Sequence, residues 1–336
     1  MNIVIPMAGM GKRMRPHTLT IPKPLIPVGG KPIVQRLVED ITDVVDQKIE
    51  NIGFIIGDFG TETENKLLAI AEKMGAKGHI FYQDEPLGTA HAILCAKKIL
   101  SGPVVVAFAD TLFRTDFKMD TSQDGIIWVH KVENPSSFGV VKLDKSGMIT
   151  DFIEKPETFV SDLAIIGIYF FKDGENLKNE LNFLIDNDIK DKGEYQITNA
   201  LENMKNKGIK LIPGEVTEWM DCGNKDATVQ TNGRVLHHDM KKGKSMIDAG
   251  AIIKNSTIIE PCYLAKGVKI ENSVIGPGVS IGENTVIRKS VISNSIIQTE
   301  SEIEGNVIDN SMIGNNTSII SAAKDLSIGD YNHKKD

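Results

Sequence analysis

From residue 247 onward an apolar side chain returns every five or six positions: Ile247, Ile253, Ile259, Ala265, Ile270, Ile275, Ile281, Ile287, Ile292, Ile297, Ile303, Ile308, Ile313 and Ile319. Helices repeat every 3.6 residues and strands every two, so neither fits that step. A hexapeptide β-helix does, with six residues per face and three faces per coil, each coil burying its isoleucines on the next. Gly, Asn and Ser fill the positions between. The spacing predicts about four coils over residues 246–328, after a polar linker from Asp239 to Ser245.

The other end is organised around residues 3 to 27, IVIPMAGMGKRMRPHTLTIPKPLIP. Ile3-Val4-Ile5 is a buried strand by its apolar run. It leads into Ala8-Gly9-Met10-Gly11 and then Lys12, Arg13 and Arg15. Glycines let a backbone turn sharply and bring its N–H groups to an anion, and the arginine fork suits phosphate oxygens. Lys23 sits between Pro22 and Pro24, whose rings stiffen the backbone that aims it. A dinucleotide fingerprint fails because Met14 stands where a third glycine belongs, and the Gly-Lys-Ser/Thr of a P-loop is absent.

The pattern that does fit is G-x-G-x-R-x-x-P-x-T followed by P-K-P, at Gly9, Gly11, Arg13, Pro16, Thr18, Pro22, Lys23 and Pro24. Here the chain resembles the sugar-phosphate nucleotidyltransferases, which join a nucleoside triphosphate to a sugar 1-phosphate. The resemblance implies catalytic roles for Arg13 and Lys23, with the nucleotide against Ala8, Gly9 and Gly11.

Strand and helix patterns alternate to about residue 110: helix 32–45, strand 52–56, helix 62–74, strand 79–82, helix 88–100 and strand 104–108. That alternation predicts an α/β fold, a doubly wound, Rossmann-like mixed sheet whose ligands collect at the carboxyl ends of the strands. Gln83-Asp-Glu-Pro-Leu-Gly-Thr-Ala-His91 falls at such an end. Its resemblance to the family places base recognition at Gln83, Gly88 and Thr89, with His91 inside the next helix and not catalytic. Asp110 ends a buried strand; a carboxylate there needs a partner, and beside phosphates a Mg²⁺ ion is favoured over a helix cap.

Short strands follow from 125. The S-F-G-V and I-E-K-P segments resemble the family's sugar-binding subregion, which implies sugar-phosphate contacts at Gly139, Glu154 and Lys155. Gly193-Glu-Tyr-Gln-Ile-Thr198 resembles the family's G-E-x-x-I-T, opening a helix to about residue 207. Asp221, in Trp219-Met-Asp-Cys-Gly223, matches its second metal-binding aspartate. A helix from Asn224 to His238 is expected to close the catalytic domain, residues 1–240.

The resemblance spans both domains and is stronger to the long-form glucose-1-phosphate thymidylyltransferases, with a left-handed parallel β-helix after the catalytic domain. It implies dTTP or UTP and glucose 1-phosphate as substrates. Mannose-1-phosphate guanylyltransferases share E-P-L-G-T-A but tend to carry an acidic residue at the place of Gln83. Two rivals remain: a non-catalytic nucleotide-sugar-binding subunit, against which Arg13, Lys23, Asp110 and Asp221 together argue, and a bifunctional acyltransferase. The latter needs a base, and no histidine lies between 239 and 332.

The net charge of −7 argues against nucleic-acid binding. No apolar run reaches the length of a membrane span and no signal peptide precedes the first strand. Cys95, Cys222 and Cys262, few and far apart, fit a reducing cytoplasm. The β-helix is expected to serve stability or assembly into a homo-oligomer.

Overall fold

Ile3, Val4 and Ile5 lose all exposed surface in β1 (Asn2–Pro6), a strand inside the nine-stranded sheet of the first unit. The computed structural model describes residues 1–116, 118–324, 326–331 and 333. It divides into two units: Met1–Ile26 with Lys31–Asn224, and Pro27–Gly30 with Lys225–Asp336. The expected span 246–328 includes Asp325, which lies outside the described residues.

After β1 come two short strands, β2 (Pro27–Val28) and β3 (Lys31–Pro32), then α1 (Ile33–Val44), β4 (Asn51–Ile56), α2 (Thr61–Lys73), β5 (Lys77–Tyr82), α3 (Thr89–Cys95) and β6 (Val104–Ala107). Strands β5, β4, β1 and β6 lie side by side in that order, all parallel. The order therefore reverses at β1: later strands add on one side until β6 joins on the other. In sheets of this kind the crevice beyond the carboxyl ends at the reversal receives ligands.

The chain then runs through β7 (Thr111–Arg114), β8 (Gly125–Lys131), β9 (Gly139–Leu143), β10 (Ile149–Glu154) and β11 (Leu163–Phe171). Helices α4 (Gly174–Asp186) and α5 (Ile197–Asn206), then β12 (Leu211–Glu215) and β13 (Glu218–Asp221), complete the unit. β11 pairs antiparallel with β6, β8 and β9, which makes the nine-stranded sheet mixed. Ile93 of α3, Leu177 and Leu181 of α4 and Leu201 of α5 share one buried cluster with Val4, Val104 and Val106.

One expectation shifts. The helix expected over 88–100 ends at Cys95, although Ala96, Ile99 and Leu100 stay buried; the apolar spacing persists through tight turns and so reads as helix. The Trp219 segment follows β12 and itself forms β13, paired antiparallel with β7.

In the second unit the coils stack as a short left-handed parallel β-helix. One face aligns Ile253, Ile270, Ile287, Ile303 and Ile319 in register. The second aligns Ile258, Ile275, Ile292 and Ile308, and the third Leu264, Ile281, Ile297 and Ile313. The first coil is thus one residue out of phase with the spacing, stacking Ile258 and Leu264 where Ile259 and Ala265 were expected. Steps of five and six are equally compatible with the pattern, so only strand register fixes the phase.

Hydroxyls tie the corners together. The N–H of Ser273 donates to Ser256 Oγ, that of Ser290 to Ser273 Oγ and that of Asn306 to Ser290 Oγ, at 3.0, 3.1 and 3.2 Å. Asn255, Asn272, Asn284, Asn294, Asn310 and Asn316 take left-handed backbone angles, which asparagine tolerates better than most residues.

Helix α6 (Lys225–Lys241) packs on these coils rather than closing the first unit, and runs into the expected linker. Its buried Asn232 is fully engaged: Oδ1 accepts from Gly29 N–H at 2.8 Å and Ser280 Oγ at 2.7 Å, and Nδ2 donates to Gly278 O at 3.0 Å. No helix among the described residues is long and apolar enough to cross a membrane.

Candidate active site

The loop after β1 is held from below. Met14 is wholly buried and its N–H donates to Gly11 O at 2.9 Å, while Thr18 Oγ1 donates to the same oxygen at 2.9 Å. Gly11 has φ +57°, and a Cβ there would stand 3.0 Å from Lys23 Cβ and 3.1 Å from Thr18 Cγ2. Glycine is therefore demanded twice, by the backbone angle and by the close return of the chain. Pro22, extended at ψ 138°, leads into a single turn, Lys23–Leu25, that carries Lys23 back under the loop.

Lys23 Nζ lies 2.8 Å from Asp110 Oδ2, with the lysine side chain 14% and the aspartate 36% exposed. Asp110 follows β6 and immediately precedes β7. The β7–β13 pairing sets Asp221 opposite Thr111, and Cys222 N–H donates to Asp110 O at 2.9 Å. Two aspartates far apart in sequence thus become neighbours. Burial, and then the charge of Asp110, raise the Asp221 carboxyl above its ordinary value, against the pull of Gly223 N–H, Lys23 and Arg13. Arg13 reaches the same turn: its Nη2 is 3.3 Å from where a Cβ of Gly223 would stand, beside both Asp221 oxygens.

The donor set fits Mg²⁺. Hard carboxylate oxygens bind it in ones or twos, with phosphates and water supplying the rest. No group of three His, Cys, Asp or Glu side chains among the described residues could hold a metal alone. Asp110 and Asp221 form a like-charged pair that a cation would relieve.

Asp110 sits where two clefts meet. One, of about 290 Å³, is lined by Ala8, Gly9, Gly11, Lys23, Gln83, Gly88, Thr89, Asp110 and Glu194, among others. The second, of about 280 Å³, is lined among others by Arg13, Ser137, Gly139, Glu154, Ile166, Gln196, Thr198, Trp219, Asp221 and again Thr89 and Asp110. All the residues expected at nucleotide and sugar thus reach one cleft or the other except Lys155. That side chain is half exposed, 3.5 Å from Glu154, on a backbone with φ +41°.

In the first cleft the Gln83 amide donates to Gly88 O at 3.2 Å and lies 3.1 Å from His91 Nδ1. Gly88 has φ +114°, and a Cβ would meet Tyr195 O at 2.5 Å. Its smallness thus admits the 194–195 backbone as well as a ligand. In the second cleft Glu154 pairs across β9–β10 with Gly139, and its Oε2 accepts from Thr198 Oγ1 at 3.3 Å.

Gln196 and Glu194 had no role assigned from sequence. Gln196 is 4% exposed; its Oε1 accepts from Thr89 Oγ1 and its Nε2 donates to Glu194, both at 3.0 Å, which ties the two clefts together. Thr89 Oγ1 in turn accepts from Ile197 N–H at 2.9 Å. The G-E-Y-Q-I-T segment marked this stretch, but nothing in it singled out those positions.

Comparison with known proteins agrees with this layout. Residues 3–238 match the nucleotidyl transferase family. A glucose-1-phosphate thymidylyltransferase of Streptomyces antibioticus is 32% identical, over 95% of this chain and 93% of its own. The bifunctional protein GlmU of Methanococcus vannielii is 29% identical, over 92% of this chain and 73% of its own. Among solved structures, UDP-glucose pyrophosphorylase complexed with UDP-glucose superposes with a TM-score of 0.59 at 25% identity, covering 70% of this chain and 98% of that one.

Proposed function

Because the chain belongs to the nucleotidyl transferase family, we propose that it condenses dTTP or UTP with glucose 1-phosphate, releasing pyrophosphate. Synthesis of a nucleoside-diphosphate sugar from a sugar 1-phosphate is the reaction class. The base, the sugar and the residue roles are the proposed part. The observation that carries them is Asp110 at the junction of two clefts with Lys23 Nζ 2.8 Å away.

The sugar-phosphate oxygen attacks the α-phosphorus in line; that P–O bond forms as the bond to the β-phosphate oxygen breaks. A phosphate monoester is already mostly dianionic near neutrality, its second pKa being about 6, so no general base is required. Catalysis is then alignment and charge neutralisation. Gly9 and Gly11 cradle phosphates, Arg13 holds the leaving pyrophosphate, and Lys23 steadies the α-phosphoryl group. A Mg²⁺ ion held by Asp110 and Asp221 would neutralise charge on the phosphates.

Gln83 reads the base. With its amide hydrogens directed to Gly88 O and His91, its oxygen remains as an acceptor for the N3–H of thymine or uracil. Glu154 accepts from hexose hydroxyls beside Gly139. Lys155, outside the cleft lining, would reach an anomeric phosphate only by swinging inward. The β-helix serves assembly, giving a homo-oligomer, and three cysteines outside any disulfide suit a cytoplasmic setting.

Pyrophosphate release with Mg²⁺ and glucose 1-phosphate, each nucleoside triphosphate offered separately, tests this. Turnover with dTTP or UTP is expected. Preference for GTP with mannose 1-phosphate would overturn the role of Gln83, and silence with every pair would leave a nucleotide-sugar-binding subunit.

A further inference from the structure

We infer that the second unit carries a binding site of its own for an uncharged pyranose ring. A cavity of about 170 Å³ opens on the β-helix, formed wholly by residues of that unit. Its wall includes Gln298, which is only 3% exposed. The Gln298 backbone is engaged in the coil, its N–H donating to Ile313 O and its carbonyl accepting from Thr285. Its side-chain amide has no hydrogen-bond partner among the described residues. The amide nitrogen and oxygen are not sealed off but open to the cavity. Apolar residues stack at the neighbouring core positions of the coils, so an amide kept here and open to the cavity offers a donor and an acceptor to a ligand.

The other lining groups decide the ligand's chemistry. Asn315 spends its oxygen on Thr299, accepting from both N–H and Oγ1 at 3.0 and 2.8 Å, so its NH₂ donors remain for the cavity. The Glu283 carboxylate stands at the exposed mouth, and Tyr263 supplies an aromatic wall. No lysine, arginine or histidine lines the cavity. A phosphate would therefore meet a carboxylate and no counter-charge, which excludes nucleotides and sugar phosphates. Two planar amides, a carboxylate and one aromatic ring suit a ring with hydroxyls round its edge and C–H groups on its face. The volume accommodates one such ring.

A single ring of about a dozen heavy atoms implies a Kd on the order of millimolar. The test is saturation-transfer NMR on the full chain with D-glucose and with N-acetylglucosamine, in wild type, in Glu154→Ala and in the double variant Glu154→Ala with Gln298→Leu. Glu154→Ala removes the carboxylate expected to hold hexose hydroxyls in the catalytic cleft, so any signal left reports the second unit. The expected result is a saturable signal in wild type and Glu154→Ala that disappears in the double variant. Loss of signal in Glu154→Ala, or its persistence in the double variant, would overturn the site. Absence of binding in wild type at 100-fold the expected Kd would leave a cavity that holds only water. Uridine binding in place of either sugar would overturn the ligand class. Should Gln298→Leu fail to fold, a crystal of the wild-type protein soaked in N-acetylglucosamine decides: a pyranose on Gln298 supports the site, and an empty cavity refutes it.

Discussion

Lys23 Nζ and Asp110 Oδ2 meet at 2.8 Å across 87 residues of chain, joining the loop after β1 to the end of β6. The contact follows from strand order, because β1 and β6 are neighbours and both loops leave the sheet at the same edge. A lysine so placed is held out of water, against one carboxylate, where the reacting phosphates would arrive. Lys23→Ala is expected to lower kcat by about a hundredfold or more while the melting temperature stays near that of wild type. Steady-state pyrophosphate release and a thermal melt check both halves, and near-normal turnover would remove Lys23 from the chemistry.

Gly88 offers a separate handle on the same cleft. At φ +114°, a Cβ would stand 2.5 Å from Tyr195 O and 2.7 Å from Tyr195 N. Those backbone atoms cannot yield without moving the segment that carries Glu194 and Gln196. Gly88→Ala should therefore cost about 1–3 kcal/mol of stability and raise KM for both substrates, since the segment borders both clefts. Chemical denaturation and a two-substrate kinetic analysis measure these effects; a rise in only one KM would show that the clefts are not coupled through Gln196.

Much of the site was legible in the chain. The glycine loop, Arg13 and Lys23 fall within one stretch, and local spacing carries them. Asp110 could be placed because a β-branched run ends beside it. What spacing could not carry was the pairing of β7 with β13, which makes Asp110 and Asp221 neighbours, or the bond from Thr89 to Gln196, 107 residues away. Lys155 stands outside the cleft linings for a local reason: it lies just past the end of β10, on a backbone with φ +41°, with its Nζ 3.5 Å from Glu154 Oε1. In the β-helix the repeat was plain, but the phase of its first coil depended on register. The helix at 225–241 showed its length in the sequence and not the body it packs on.

Asp40 gives a pH signature. It lies on α1 and pairs with Arg114 of β7 at 2.5 Å, and burial pushes its carboxyl from 3.8 up to about 6 even against the pull of that arginine. A carboxyl whose pKa is higher folded than unfolded holds its proton more tightly in the native state. Its contribution is therefore complete below about pH 4 and is lost as pH rises through 6. Two pKa units correspond to roughly 3 kcal/mol. Relative to Asp40→Asn, wild type should gain stability as pH falls from about 6.5 to 4. Melting temperatures of the two proteins across that range provide the check, and a constant difference would mean that Asp40 stays ionised.

The coil stack makes the last prediction. Ile287 has no exposed surface and sits in register between Ile270 and Ile303, with further coils above and below. Ile320, near the end of the stack, is 62% exposed. Removing three carbons from the first leaves a void that neighbouring coils cannot close without breaking their ladders, so Ile287→Ala should cost about 2–5 kcal/mol. Ile320→Ala should stay within about 0.5 kcal/mol. Each coil contacts only its neighbours, so the cost at Ile287 should appear first in the unfolding of the β-helix. Hydrogen exchange measured on both variants separates the cases: loss of protection confined to residues of the second unit is expected for Ile287→Ala. Equal loss across β1, β4 and β6 would show instead that the two units unfold together.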